Sequence, residues 1–553
     1  MPISNKKQID EIVSYHQLSK HYFNRYAPSL GYLDWSTQPS PFRRYAGAKI
    51  IPLRKIDSAE CMDISYDSVF HRKTDRQDKA DLNFDMISQL FFYSLSLSAW
   101  KSSGGNRWAL RVNPSSGNLH PTECYLLSSP IGAISEKAFL AHYSSDEHIL
   151  EIRSEFDVAI WNRLRKSFTG PVFFIGLSSI YWREAWKYGE RAFRYCHHDV
   201  GHAIGAISLA ASSLGWQAIL IETLSSRELS ILLGLQNSFG PEKEHPDCLL
   251  AITPQSAGMN QTMIEKDFID QFQLLNWQGK ANQLSHSHIS WPNLTKIAAV
   301  TAKTNIESVR FKNALNGEKQ PTDKYINPSV LFQKIVRQRR SAVAMDKKTW
   351  ISRDQFYQVL KKSMPAGNQY PYGTLPWTPK VHLAIFIHRI EDLEPGIYFL
   401  IRNDDQAECL KSVMRSDFLW EKAAGCPSNL PFFKLLIADV QEAAKQIACQ
   451  QDIAAEGCFS LGMITQFHES LEKYGAWFYP RLYWECGLIG QVLYLEAERI
   501  GIRATGIGCF FDDPMHRDIL GINDLSYQSL YHFTIGGAIE DTRIESHPAY
   551  NNS

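Results

Sequence analysis

Two stretches of the chain carry the same long pattern of apolar positions. Lys187–Gly215 reads KYGERAFRYCHHDVGHAIGAISLAASSLG, and Lys473–Gly501 reads KYGAWFYPRLYWECGLIGQVLYLEAERIG. They align without a gap. Each opens on Lys-Tyr-Gly, places an acid at Asp199 or Glu485 and a glycine at Gly201 or Gly487, and runs apolar at helical spacing to Gly215 or Gly501. Such a period predicts a buried helix, and the closing glycine supplies the residue that ends one. Further on, each copy reads Leu-Gly-[Leu/Ile], at Leu233–Leu235 and Leu520–Ile522. Self-similarity of this kind marks duplicated units. Short runs rich in branched and aromatic residues, Val172–Leu177 and Val381–Ile387, read as buried strands. Helices and strands mix without a regular βαβ rhythm, so the predicted class is α+β.

Other landmarks fall in the same order in both halves. Arg72-Lys73-Thr74 parallels Arg339-Arg340-Ser341, and Gly117–Pro121 parallels Gly367–Pro371. The stretch around Lys303–Lys324 is polar and unpatterned, as a linker is. The expected organisation is an N-terminal extension over 1–59, a first unit over 60–302, a linker over 303–325 and a second unit over 326–553.

Composition agrees with two sizeable units. The chain has 553 residues, and domains run to roughly 100–200 residues. Hydrophobic residues make up 44% and charged residues 21%, as in ordinary soluble globular proteins. The 58 basic and 58 acidic residues cancel, which points away from nucleic acid and anionic membranes. Aromatics reach 12%, which suits pockets for flat ligands. The ten cysteines form no C-x-x-C pair and read as reduced thiols of a cytoplasmic protein. MPISNKKQIDEIVSYH lacks the apolar region of a signal peptide, and runs such as Pro171–Leu177 are far too short to span a membrane.

Several segments could carry chemistry. Arg72-Lys73-Thr74-Asp75-Arg76 and Arg339-Arg340-Ser341 offer guanidinium forks beside a hydroxyl, the groups a phosphate wants. Pro114-Ser115-Ser116-Gly117-Asn118 is a turn whose backbone and short side chains can meet a polar ring edge. Gly506-Ile507-Gly508 is not a dinucleotide fingerprint, and no phosphate-cradling G-x-x-x-x-G-K-[ST] loop exists. Lys187-Tyr188 and Lys473-Tyr474 pair two proton carriers whose ordinary values lie near pH 10, so burial or charge must tune them. His197, His198 and His202 cluster at a helix start without a partner acid in pattern, so no metal site is predicted.

Together these landmarks resemble the nitroreductase superfamily, and within it the SagB/ThcOx-type FMN-dependent dehydrogenases. The matching segments are RVNPSSGNLHPTECYLL (Arg111–Leu127), WKYGERAFRYCHHDVGHAIGAISLAASSLGW (Trp186–Trp216) and YHQLSKHYFNRYAPSLGYLDW (Tyr15–Trp35), with a looser match from Arg339 onward. The resemblance implies a mixed, mainly antiparallel sheet flanked by helices in each unit, with the two units forming a pseudo-dimer inside one chain. It implies FMN at the interface. The basic segment, the glycine loop and a C-terminal arginine of one unit hold the phosphate and ribityl chain, while P-S-[SA]-x-N of the other reaches the ring. It implies hydride transfer at flavin N5, with azoline-to-azole oxidation in a modified peptide as one reaction. NAD(P)H-driven reduction of a small electrophile is the alternative, and a non-catalytic partner subunit of a peptide-modifying complex is a third reading.

The two copies differ in a way that bears on this expectation. Copy one keeps Pro114, Ser115, Ser116, Gly117 and Asn118, whereas copy two reads Met364-Pro365-Ala366-Gly367-Asn368. Copy two keeps Gly506, Ile507 and Gly508 and has Arg543 near its end, whereas copy one reads Leu220-Ile221-Glu222-Thr223 and has no such arginine. Copy two has Val343 where the family's last arginine falls, and copy one has Arg76. One complete FMN site per chain is therefore expected, from Pro114, Ser115, Ser116 and Asn118 with Arg339, Arg340, Ser341, Gly506, Ile507, Gly508 and Arg543. Lys187 and Tyr188 are the expected proton-transfer pair.

Overall fold

The computed structural model describes residues 5–56, 63–72, 81–256, 264–304, 330–366 and 369–550. Most of the expected linker, the Lys73–Arg76 segment and Gly367-Asn368 lie outside those residues.

Each unit is built on a seven-stranded antiparallel sheet. The first runs, edge to edge, Lys49–Pro52, Ile149–Phe156, Ala138–Ser144, Thr122–Ser128, Phe173–Ile180, Glu244–Pro254, Trp216–Leu220. The second runs Glu421–Lys422, Phe432–Ile437, Gly396–Leu400, Val381–Ile387, Phe459–Gln466, Tyr527–Gly536, Arg503–Ile507. Their inner registers match. Leu126 pairs Ile175, Ile175 pairs Leu250 and Leu250 pairs Leu220. Ile385 pairs Leu461, Leu461 pairs Phe533 and Phe533 pairs Gly506. The two apolar runs singled out in the sequence are both strands but do not occupy equivalent places. Val381–Ile387 stands where Thr122–Ser128 does, and the counterpart of Phe173–Ile180 is Phe459–Gln466.

The repeated segments form two long helices, Ala192–Ser213 and Tyr479–Arg499, which cross at the centre of the molecule. Every residue of the first is buried. Gly201 and Gly487 make that approach: a methyl on Gly201 would land on the Trp484 carbonyl and 2.9 Å from the Gly487 Cα. The closing glycines, Gly215 and Gly501, have φ of +82° and +80°. Polar residues beside the crossing find buried partners. Ser208 meets Thr374 at 2.8 Å, and the Glu485 carboxylate accepts from the backbone of Lys380 and Val381, from Trp377 and from Arg402. One continuous apolar core fills the space between the sheets and draws on both units, and two smaller cores line their outer faces.

The units are interlaced. The late strand Glu545–His547 pairs with Leu97–Ser103 of the first unit, and the Tyr550 hydroxyl donates to the Ser145 carbonyl. The N-terminal helix Asn5–Leu18 leads a segment that lies on the second unit, where Lys20 meets Asp513 at 2.7 Å. Beside it Arg191 and Arg194 both pair with the buried Asp512. Burial opposes the Asp512 charge, but the two guanidiniums and Lys20 outweigh it and hold the carboxyl far below its ordinary range. No helix among the described residues is long and apolar enough to cross a membrane.

Candidate functional site

The turn Pro114–Asn118 leaves the strand Asn106–Arg111 and stands beside the first long helix. Gly117, Asn118 and His120 all have left-handed backbones, with φ of +59°, +56° and +51°. The turn is held locally: the His120 N–H donates to the Ser115 hydroxyl at 2.8 Å, and the Ser116 N–H donates to Asp199 at 3.2 Å. Gly117 is required twice over. Beyond its φ, a Cβ there would sit 2.6 Å from the Tyr188 hydroxyl and 3.3 Å from the Lys187 ammonium nitrogen. The turn therefore brings the Lys187-Tyr188 pair against itself.

Across the interface lies the strand end Arg503–Ile507 and the residues after it. Gly506 packs on Tyr531 and donates its N–H to the Tyr494 hydroxyl at 2.9 Å; that hydroxyl also meets Ser341 at 2.9 Å. Gly508 packs on the Tyr195 ring, and its carbonyl accepts from Arg191 at 2.9 Å. Between this wall and the turn is a chamber of about 300 Å³, lined by Pro114, Ser115, Ser116, Asn118, Tyr188, Ser341 and the Gly506-Ile507-Gly508 segment, among others.

A second chamber of about 400 Å³ shares Pro114, Ser115, Asn118 and Ser341 with the first. Its lining is cationic, with Lys101, Arg339, Arg340 and Arg503. Arg339 donates to the Arg111 and Val112 carbonyls, and its remaining buried nitrogen has no partner among the described residues. Arg340 donates to Ser98 and to nearby carbonyls. Arg503 pairs with Glu498, but Arg339 and Arg340 form no ion pair among the described residues. Burial, then the neighbouring Arg339 and Arg503, pushes Arg340 down to about 10. Cations gathered with too few acids favour an anion in the cavity.

Titratable groups line the first chamber. Burial, then the Glu184 charge, pushes the Tyr188 phenol well above its ordinary value, so it keeps its proton and acts as a donor. Burial pushes the Asp199 carboxyl up to about 7. Glu184 lies on the short helix Tyr181–Tyr188 that carries the Lys-Tyr pair; burial and the Asp199 charge push its carboxyl up too. Cys509 also lines the chamber, and a hydrogen bond from Cys449 together with His21 lowers its thiol to about 5 against burial.

Of the residues expected from sequence, Pro114, Ser115, Ser116, Asn118, Tyr188, Arg339, Arg340, Ser341, Gly506, Ile507 and Gly508 line these two chambers, and Lys187 touches their shared turn. Arg543 does not. Its side chain is 83% exposed and is held by Asp541 two residues away at 2.7 Å. Lys101 and Arg503 supply the cations there instead, and neither stands in a motif that sequence reading could have singled out. Asp199 and Tyr494 were visible as positions of the repeat, though nothing in the pattern gave them a place in the cavity. The three histidines diverge: His198 meets the Leu530 carbonyl, His202 the Tyr531 hydroxyl and His197 the Trp484 indole.

At the opposite crossing the described residues form an ion cluster instead. The register of the repeat sets Glu222 opposite Gly508 and Arg481 opposite Tyr195. Where Gly508 leaves room beside a ring, Glu222 is clamped by Arg481 at 2.8 and 2.9 Å and by Lys303 at 2.8 Å. Burial opposes the Glu222 charge, but Arg481 and Lys303 outweigh it and hold it below its ordinary range. Arg72, the counterpart of Arg339, spends its guanidinium on the Gln255 carbonyl.

Comparison with known proteins agrees with this architecture. Residues 106–252 match the nitroreductase family. Over 145 residues the chain is 26% identical to a protein of Methanocaldococcus jannaschii assigned by name to the nitroreductases, a match covering 25% of this chain and 68% of that one. The crystal structure of a protein from Anabaena variabilis, named for the same family, is similar with a TM-score of 0.63 at 19% identity, covering 96% of this chain and 99% of that one. Residues 106–252 are thus similar to the nitroreductase family, and the fold of the chain is nitroreductase-like.

Proposed function

We propose that the chain is an FMN-dependent oxidoreductase of the SagB/ThcOx type, made of two duplicated nitroreductase-like units that form one flavin site per chain. The observation that carries this reading is the joined pair of chambers: one lined by glycines, hydroxyls and phenols, the other by cations short of an anion. Their volumes suit a bound cofactor. Lys101, Arg340, Arg503 and Ser341 would hold the phosphate, and the Pro114–Asn118 turn with Gly506–Gly508 would hold the ring edge. Bound FMN supplies hydride transfer at N5.

The chain's own residues handle protons and orientation. Tyr188 presents a hydroxyl donor at the turn, with the Lys187 ammonium beside it. Asp199, titrating near neutrality, can hold or release a proton behind Ser116. The reaction we favour is azoline-to-azole oxidation in a modified peptide, on the strength of the Arg111–Leu127 and Trp186–Trp216 segments; NAD(P)H-driven reduction of a small electrophile is the alternative.

The test is the visible spectrum of the purified protein. Flavin absorption at a flavin-to-chain ratio near one is expected. Colourless protein that cannot be reconstituted with FMN would overturn the reading and leave a non-catalytic partner subunit. Anaerobic mixing then separates the two reactions: bleaching by an azoline peptide marks the dehydrogenase, and bleaching by NAD(P)H alone marks the reductase.

A further inference from the structure

The Glu222 clamp has an open side. Beyond the Glu222 clamp lies a cleft of about 870 Å³, more than twice the volume of either chamber above. At the corresponding place in the second unit the N-terminal segment and the Asp512 network take up the space.

Asp247 lines this cleft with its side chain only 2% exposed. One carboxylate oxygen accepts from the Ser179 hydroxyl at 2.7 Å. The other lies 3.6 Å from the His197 Nδ1. That nitrogen cannot supply a proton. It already accepts the Trp484 indole N–H at 3.1 Å, and burial, with Arg481 adding to it, lowers the ring to about 3, so the imidazole is neutral with its proton on Nε2. Of the cations that line the cleft, Arg481 and Lys303 are committed to Glu222 and Arg227 to Asp270, and Lys243 is exposed. One Asp247 oxygen thus faces the cleft with no hydrogen-bond donor from the described residues, and burial pushes the carboxyl up to about 8, the shift of an acid that lacks a counterion; a bound cation would restore its charge. Aromatic rings form part of the lining: Tyr181 stacks on His245 with ring centres 4.3 Å apart, and Trp182, Trp291 and Trp484 also face the cleft.

We propose that this cleft binds a small organic cation, a primary ammonium carried on a flat ring, with its N–H donors on Asp247 and its ring among those aromatic side chains. A carboxylate beside aromatic rings favours ammonium by charge-assisted hydrogen bonding and by cation–π attraction together. The inference does not depend on the flavin reading, since no residue it uses lines the other two chambers.

The experiment is isothermal titration of the full-length protein, as purified, with benzylamine and with its neutral analogue benzyl alcohol. Benzylamine is expected to bind at least about tenfold more tightly, the scale of one hydrogen bond to a charged group. Asp247→Asn is expected to erase that preference. Ala298→Trp, which fills the cleft from the helix Pro292–Val300, is expected to abolish binding with no change in the visible spectrum. Equal binding of the two probes, no benzylamine binding, or undiminished benzylamine binding in Asp247→Asn or Ala298→Trp would each overturn the proposal.

Discussion

The two crossings between the units start from the same local sequence pattern and end in opposite states. At one, Gly508 stands beside Tyr195 and a chamber opens. At the other, Glu222 stands beside Arg481 and an ion cluster fills the space. The two large sheets follow the same strand order, but the turns are reached differently: Pro114–Asn118 follows the strand Asn106–Arg111, whereas Met364 follows directly on the helix Arg353–Ser363. A repeated strand order supplies two corresponding places, and the residue pair at each, Gly508 with Tyr195 or Glu222 with Arg481, gives that place a different wall.

That comparison can be broken most directly by moving the clamp residue across. Gly508→Glu puts a carboxylate against the Tyr195 ring and into the chamber. Flavin content, read as absorbance per chain, is expected to fall to near zero while the far-ultraviolet circular dichroism is kept. Retention of flavin would mean that this strand end does not decide the difference.

Next in size is the network outside the cavity. Asp512→Ala leaves Arg191 and Arg194 buried without their shared anion. A loss of about 3–5 kcal/mol is expected in denaturant titrations, the scale for breaking a buried ion pair from one side. A loss below about 1 kcal/mol would show that the N-terminal segment does not brace the open crossing through this residue.

The phosphate grip comes third. Arg340→Ala is expected to weaken FMN binding by about 1.5–3 kcal/mol, the worth of a hydrogen bond to a charged group. Arg543→Ala is expected to leave it unchanged, because that side chain is exposed and held by Asp541. Equal effects of the two in a fluorescence titration of released FMN would refute this assignment of the cations.

The smallest effect is one of pH. The folded state raises the Asp199 carboxyl to about 7 from an ordinary value near 3.9. The folded protein therefore binds this proton more tightly than the unfolded chain, and the contribution to stability is present at low pH and lost as pH rises to about 7. Asp199→Asn should flatten that part of the profile and gain most, relative to the natural chain, above pH 7. Parallel melting profiles of the two proteins would contradict the raised value.

Much of this was legible from residue order alone, for identifiable reasons. The long helices were visible because burial on every face leaves an apolar period, and their ends because Gly215 and Gly501 need a left-handed backbone. The Pro114–Asn118 turn was visible for the same reason at Gly117. Of the second chamber's cations, Arg339 and Arg340 were visible as an Arg-Arg-Ser run, and Lys101 and Arg503 were not. Those two sit in strands far apart in sequence and meet only when the units pack. Arg543 misled because a position near the end of a strand says nothing of where the side chain turns; a neighbouring aspartate took it up. The Glu222 clamp was half visible: the carboxylate could be read from the copies, but Arg481 and Lys303 come from other segments.

The late strand Glu545–His547 lies on Leu97–Ser103, whose sheet leads through Asn106–Arg111 directly into the Pro114–Asn118 turn. Synthesis runs from the N-terminus, so the first unit emerges hundreds of residues before the strand that completes its three-stranded sheet. The turn would thus gain its final support only once nearly all of these residues have left the ribosome. Cofactor capture would then be a late step in the making of the molecule, and a chain truncated before residue 545 should carry a nearly full core yet a slack turn.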